Sequence, residues 1–219
     1  MTAGRISLYL AAALATLYLS MLLALFLLQR SLLFPAPCDA SAAPLAGFSA
    51  VQLDTEDGLR LAAAWRAGSG ARPTILSFHG NGDSLTGAEA ATRAITQAGY
   101  GVLLVEYRGY AGNPGGPSEQ GPYRDGRAAL AWLEGRGVVS RCVVLIGNPL
   151  GSGVATEIAA GASVAGLVLV SGFTSMPDVV APPYPCPPVR MLLRDSFDNR
   201  TKIARATIPD SPLRGTATG

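Results

Sequence analysis

Apolar and polar positions divide the chain into three regimes. The first is Ile6 to Leu28, 23 residues without a charge, bracketed by Arg5 and Arg30. At ~1.5 Å per residue a helix of that length reaches roughly 34 Å, enough to cross a hydrocarbon core of ~30 Å. Between Phe48 and Val170 the pattern changes to short apolar runs that alternate with helix-like segments. Past Ser171 neither period persists.

Phe48 to Asp54 and Leu59 to Arg66 predict two strands joined by the turn Thr55-Glu56-Asp57-Gly58, a hairpin. Thr74 to Phe78 ends in His79-Gly80-Asn81-Gly82, the pattern of a buried parallel strand feeding a glycine loop. Thr86 to Ala98 predicts a helix stopped by Gly99. Val102 to Tyr107 is the next strand, and Ala111 to Pro117 a Gly/Pro loop. Pro122 to Glu134 then forms a helix with Ala129, Trp132 and Leu133 on one face and Pro122 in its first turn. Val143 to Ile146 and Leu167 to Val170 are strands on either side of a helix from Gly151 to Ala160, which buries Val154, Ala155, Ile158 and Ala159. Strands and helices alternating over ~30-residue units predict an α/β fold, a mostly parallel sheet with helices on both faces.

The proline-rich run from Ala181 to Pro188 excludes regular structure, because each proline removes a backbone donor. A short helix from Val189 to Asp195 follows, and Thr207 to Gly219 is expected to be a disordered tail. The expected organisation is an anchor over 1–30, a linker over 31–47, a domain over 48–206 and the tail over 207–219.

Composition narrows the chemistry. The net charge is only +2 and no dense basic stretch occurs, which argues against nucleic acid as a partner. Cys38, Cys142 and Cys186 lack metal-ligand spacing, and His79 is the single histidine, so neither a zinc site nor any cofactor is expected. The cysteines are read as unpaired thiols, Cys142 as core at a strand start. The Ile6–Leu28 run is too long for the apolar region of a cleavable signal peptide, usually ~7–15 residues, and no small-x-small site follows it. An uncleaved single-pass anchor with membrane lipid as its partner is therefore expected. One arginine at each end gives the positive-inside rule nothing to weigh.

The run Val143-Val144-Leu145-Ile146-Gly147-Asn148-Pro149-Leu150-Gly151-Ser152-Gly153 is laid out as a strand, a tight turn and a helix start. Gly80-Asn81-Gly82 is no dinucleotide fingerprint, because Leu85 stands where the third glycine belongs, and Gly151-Ser152-Gly153 fails the same test at Thr156. Taken with "FHGNGDS", "EYRGYAGNPGGPSEQGPYRDGRAALAWL", "SGFTSMPDVV" and "FDNRTKI", and with Arg30-Ser31-Leu32-Leu33-Phe34-Pro35 after the anchor, this run resembles the α/β-hydrolase superfamily, in particular its small membrane-anchored branch. The matching stretches span roughly Ser31 to Ile203.

The resemblance implies a serine hydrolase acting on esters, thioesters, lipids or peptides, with a small-molecule or acyl substrate and no known protein partner. In that family a serine at the apex of a G-x-S-x-G elbow attacks, followed in chain order by an acid and a histidine. Here the apex is Pro149. By resemblance His79 and Gly80 shape the loop beside an oxyanion hole whose donors are Asn81 and Leu150. Proline fixes φ near −65°, whereas the nucleophile of such an elbow sits at positive φ, so the turn is expected to relax or open. Ser152 is expected in the first helical turn facing away from the apex, Ser84 and Ser118 in loops, and Asp125 and Asp178 in structural roles. Asp195 and Asp198 are expected to be loop or cap groups.

The sheet is expected to stop after its sixth strand, leaving Leu167–Val170 as an apolar edge. Three readings follow: an inactive or nearly inactive member of the hydrolase family, a binding or scaffolding protein reusing that surface, and a degenerate product altered at Pro149 and truncated or frameshifted after Ala206.

Overall fold

The computed structural model describes residues 3–36, 45–181 and 189–208. Cys38, Cys186, most of the proline-rich run and the predicted tail from residue 209 onward lie outside the described residues.

A single helix, α1, runs from Ala3 to Leu33. It carries on past the end of the apolar run, and Phe34, which follows it, is buried in the core of the domain. The first residues of the predicted linker therefore belong partly to the helix and partly to the fold. The sheet has six strands: β1 (Ser49–Asp54), β2 (Arg60–Arg66), β3 (Thr74–Phe78), β4 (Gly101–Val105), β5 (Val143–Gly147) and β6 (Gly166–Leu169). Their order across the sheet is β1-β2-β4-β3-β5-β6. The β1–β2 and β2–β4 pairs are antiparallel, and the rest are parallel.

Period-two alternation sorts the strand side chains onto two faces. Leu61, Leu76, Phe78, Leu103, Val105 and Leu145 form one core, under helices α3 (Gln120–Glu134) and α4 (Pro149–Gly161). Ala64, Ile75, Val102 and Leu104 face the other way, towards helix α2 (Leu85–Gln97) through Leu85 and Ala88. All five residues of β3 and of β4 are buried, as central parallel strands covered on both sides should be. β6 lies at one edge, opposite β1, with Val168 and Leu169 exposed.

Three differences from expectation have physical causes. Cys142 is exposed rather than core, because it ends a 3-10 turn, Ser140–Cys142, just before the strand that starts at Val143 as expected. The fourth strand ends at Val105 rather than Tyr107, because Glu106 turns inward to serve buried partners. After β6 the described residues form three short helices, α5 (Met176–Val180), α6 (Val189–Leu192) and α7 (Asn199–Ile203). Ser175 caps α5 by accepting from the Asp178 amide, and Asp198 caps α7 by accepting from the Thr201 amide.

Candidate functional site

Register brings three strand ends level. Phe78, the last residue of β3, lies opposite Val105 of β4 and Gly147 of β5. The residues that follow, His79, Glu106 and Asn148, leave the sheet along one edge.

His79 is completely buried. Its Nδ1 lies 2.9 Å from the Gly80 carbonyl oxygen and its Nε2 lies 2.8 Å from Glu106 Oε1. A carbonyl can only accept, so Nδ1 is placed to donate to it, while Nε2 is paired with the carboxylate. Both ring nitrogens are thus engaged within the loop. Glu106 also accepts the Leu85 amide (3.2 Å) at the start of α2, and the Tyr107 hydroxyl donates to the His79 carbonyl at 3.0 Å. Burial pushes the Tyr107 phenol well up from its ordinary value. The group is a cage that fixes the loop between β3 and α2.

Glu106 escapes a reading of spacing alone, because 27 residues separate it from His79 and only strand register unites them. The available signal was a lone acidic residue closing the apolar run Val102–Val105.

Asn81 lies on the exposed side of this loop. Its Nδ2 donates to the Leu33 carbonyl at the end of α1 (2.6 Å), and its Oδ1 accepts from the Tyr110 hydroxyl (2.9 Å). Burial pushes the Tyr110 phenol up to about 12. The side chain of Asn81 therefore fastens the loop to the long helix.

At the elbow, both glycines are sterically required. A β-carbon on Gly147 would come 2.6 Å from the Ser152 Cα, and one on Gly151 would come 2.6 Å from the Phe78 carbonyl carbon and 2.8 Å from the His79 oxygen. Helix and sheet thus approach as closely as a G-x-S-x-G turn demands, and the expected opening does not occur. One residue, Asn148, separates β5 from α4. It is extended (φ −79°, ψ 169°), donates its amide to the Phe78 carbonyl at 3.0 Å, and accepts from the Ser152 amide at 2.7 Å.

What changes is the apex itself. Pro149 is the first residue of α4, where its missing N–H costs nothing. Among the described non-glycine residues, positive φ occurs at Ala111, Ser171 and Phe197 and not at Pro149. The ring is exposed and leans on Gly80, its Cδ 3.5 Å from where a β-carbon on that residue would stand. Tightness is kept while the strained apex is replaced by an ordinary helix start. Leu150 buries its side chain in the core, and the amides of this first turn lack an intrahelical acceptor by position.

Three nearby or loop serines have other contacts or positions. Ser152 is fully buried and donates to the Pro149 carbonyl at 2.6 Å. Ser84 precedes α2, and Ser118 Oγ accepts the Gly121 amide at 3.1 Å. Asp125 is buried against Arg108, with Nε to Oδ1 at 2.8 Å, and burial pushes its carboxyl up despite that partner. Arg108 also binds Asp57, whose carboxyl its hydrogen bonds hold well below the ordinary range. Asp178 accepts from Thr174 and Arg190, and Asp195 accepts from Arg30 and from the Glu119 amide.

This strand order, with a glycine-flanked turn from β5 into α4 and a His-Gly loop beside it, defines a hydrolase-type α/β protein. No protein-family model matches the chain. An uncharacterised protein of Mycobacterium tuberculosis, Rv2307c, is 38% identical over 193 residues, 85% of this chain and 68% of that protein. The α/β-hydrolase domain-containing protein WAV2 of Arabidopsis thaliana is 33% identical over 111 residues, 49% of this chain and 36% of its own length. Among solved structures, an α/β hydrolase from Vibrio vulnificus superposes with a TM-score of 0.62 at 24% identity, over 75% of this chain and 61% of that one. The chain belongs to the α/β-hydrolase superfamily. It spans about two thirds of the first relative and about a third of the second.

Proposed function

We propose that this chain is a membrane-anchored α/β-hydrolase-fold protein whose elbow supplies no nucleophile, so that it engages its ligand, of the ester or acyl class that the family handles, without forming an acyl-enzyme. The observation that carries this reading is Pro149 at the first position of α4. Covalent acyl transfer needs a hydroxyl or thiol presented at the apex beside a base. Proline has neither group, and its ring excludes the apex conformation that would present one. Whatever acid and base an α/β-hydrolase scaffold assembles, an apex without a hydroxyl gives them nothing to activate. In triad hydrolases, loss of the nucleophile removes about six orders of magnitude in rate.

Anchoring is supported by α1. It is long and apolar enough to cross a membrane, and no residue of its most apolar stretch is buried. A core helix would be covered. A cleaved leader would not continue into the fold as this helix does, through Gln29, Arg30 and Phe34.

The test is a fluorophosphonate probe applied to the full chain in detergent. The expected outcome is no labelled serine in the native chain, and an adduct mapped to any serine would overturn the non-nucleophilic reading. Extraction of membranes at alkaline pH, with sequencing of the mature N-terminus, tests the anchor. Release into the supernatant, or a start beyond Leu28, would refute it.

A further inference from the structure

The covered positions near the end of α1 are Leu22, Phe26, Gln29 and Leu33. They recur at intervals of four, three and four residues and so form one helical face. Gln29 is the buried residue of the helix. Its Nε2 donates to the Leu192 carbonyl at 3.3 Å and its Oε1 accepts the Arg194 amide at 2.8 Å. One residue later, Arg30 Nε donates to the buried carboxylate of Asp195 at 2.9 Å. Three residues before Gln29, the Arg194 guanidinium carbon lies 4.1 Å from the centre of the Phe26 ring. The segment from α6 to Asp195 is thus laid along α1 at the level of residues 26–30.

That level has a meaning on the membrane reading, on which this inference rests. If Ile6–Leu28 fills the hydrocarbon core, Phe26 sits about 3 Å inside its edge and Gln29 about 2 Å outside it. Arg194 is exposed and its guanidinium rests on the Phe26 ring at the hydrocarbon edge, from which a long basic side chain can reach outward to phosphates. Met191 precedes Leu192 by one residue and is 86% exposed, the most exposed of the large hydrophobic side chains described. Arg190, beside it, is largely exposed and pairs with Asp178. Asp195, the other nearby acid, is held by Arg30. A basic head with no ion pair among the described residues and a bare apolar side chain at the end of a spanning helix match one environment, the boundary between acyl chains and headgroups.

We infer that Val189–Arg194 is a second bilayer contact, in which Met191 enters the acyl boundary and Arg194 binds lipid phosphates beside α1. The site loop shares this geometry, since Asn81 holds the Leu33 carbonyl five residues, or about 8 Å, beyond the end of the apolar run.

The test uses the full chain with its three cysteines replaced by serine and one new cysteine carrying an environment-sensitive fluorophore. Labels at Met191→Cys, at Leu17→Cys in the middle of α1, and at Val139→Cys before β5 are compared in phosphatidylcholine vesicles with and without phosphatidylglycerol. Quenching by spin-labelled lipid is the readout. Strong quenching at 191 and at 17, with little at 139, is expected. Adding Arg194→Glu should lower the membrane-inserted population at 191 by at least about fivefold in the anionic vesicles. Quenching at 17 with none at 191 leaves the anchor standing and overturns this inference. Absence of quenching at 17 overturns the anchor and the inference together. A label at 191 that is quenched by lipid equally with and without Arg194→Glu refutes the phosphate contact.

Discussion

Gly151 offers the sharpest test of how the elbow is built. In Gly151→Ala the new methyl would stand 2.6 Å from the Phe78 carbonyl carbon, 2.8 Å from the His79 oxygen and closer still to the Phe78 oxygen. Ordinary contact begins near 3.4 Å, and all three atoms are backbone, held in place by the pairing of β3 with β4 and β5. Neither side can yield by a rotamer change. Helix α4 must therefore retreat by roughly 1 Å, loosening Leu150, Val154 and Ala155 in the main core, and overpacking of this kind costs about 3 kcal/mol. Gly161, ten residues on in the same helix, has nothing within 4 Å of its would-be β-carbon. The same change there should stabilise by about 0.5 kcal/mol through reduced freedom of the unfolded chain. Urea unfolding of the full chain in detergent, followed by the fluorescence of Trp65 and Trp132, reports both variants, because the two rings touch edge-on in the fold (centroids 5.6 Å). If Gly151→Ala unfolds within 0.5 kcal/mol of the native chain, the close approach of α4 to β3 is not what the glycine is for.

Further outcomes follow from other contacts. Arg30→Ala strands the Asp195 carboxylate, whose side chain is 3% exposed, and should cost about 2 kcal/mol; adding Asp195→Asn should recover part of it, as denaturant titration will show. The Asp178 carboxyl is lowered to about 2 by hydrogen bonds from Thr174, Ser175 and Arg190. A depressed carboxylate stabilises above its ordinary value of 3.8 and loses that contribution as pH falls towards 2. Hydrogen exchange around Met176–Ala181 should therefore rise between pH 4 and 2 relative to intrinsic rates, and flat protection across that window would refute the link. Val168→Lys on the exposed edge of β6 should reduce self-association of the detergent-solubilised chain in light scattering; unchanged association would show that the edge is not the sticky surface.

Much of the frame was legible because it is written in short-range patterns. The alternation of Val102 to Val105 between two cores, the glycine pair at 147 and 151, and the 23-residue apolar run each state their structure within a dozen or two residues. What escaped depends on distant partners. Nothing near His79 announces Glu106, and nothing near Gln29 and Arg30 announces the backbone and carboxylate that receive them 163 to 165 residues later. Cys142 was misplaced because an apolar-looking side chain beside a strand start was taken for core, whereas the 3-10 turn leaves it in water. At Pro149 the steric argument was right about the conformation the ring refuses and wrong in expecting the turn to open: the chain had a second tight solution, a helix begun two residues earlier than expected.

The long helix that enters the domain is spliced to it by hydrogen bonds at its last turns and by Phe34 in the core. Rod and body consequently share one orientation. On the membrane reading, a thicker bilayer that draws the rod upright tips the body by the same angle, and a thinner one leans it over. Lipid thickness then becomes a handle on how the His79–Asn81 loop is presented to the leaflet below it.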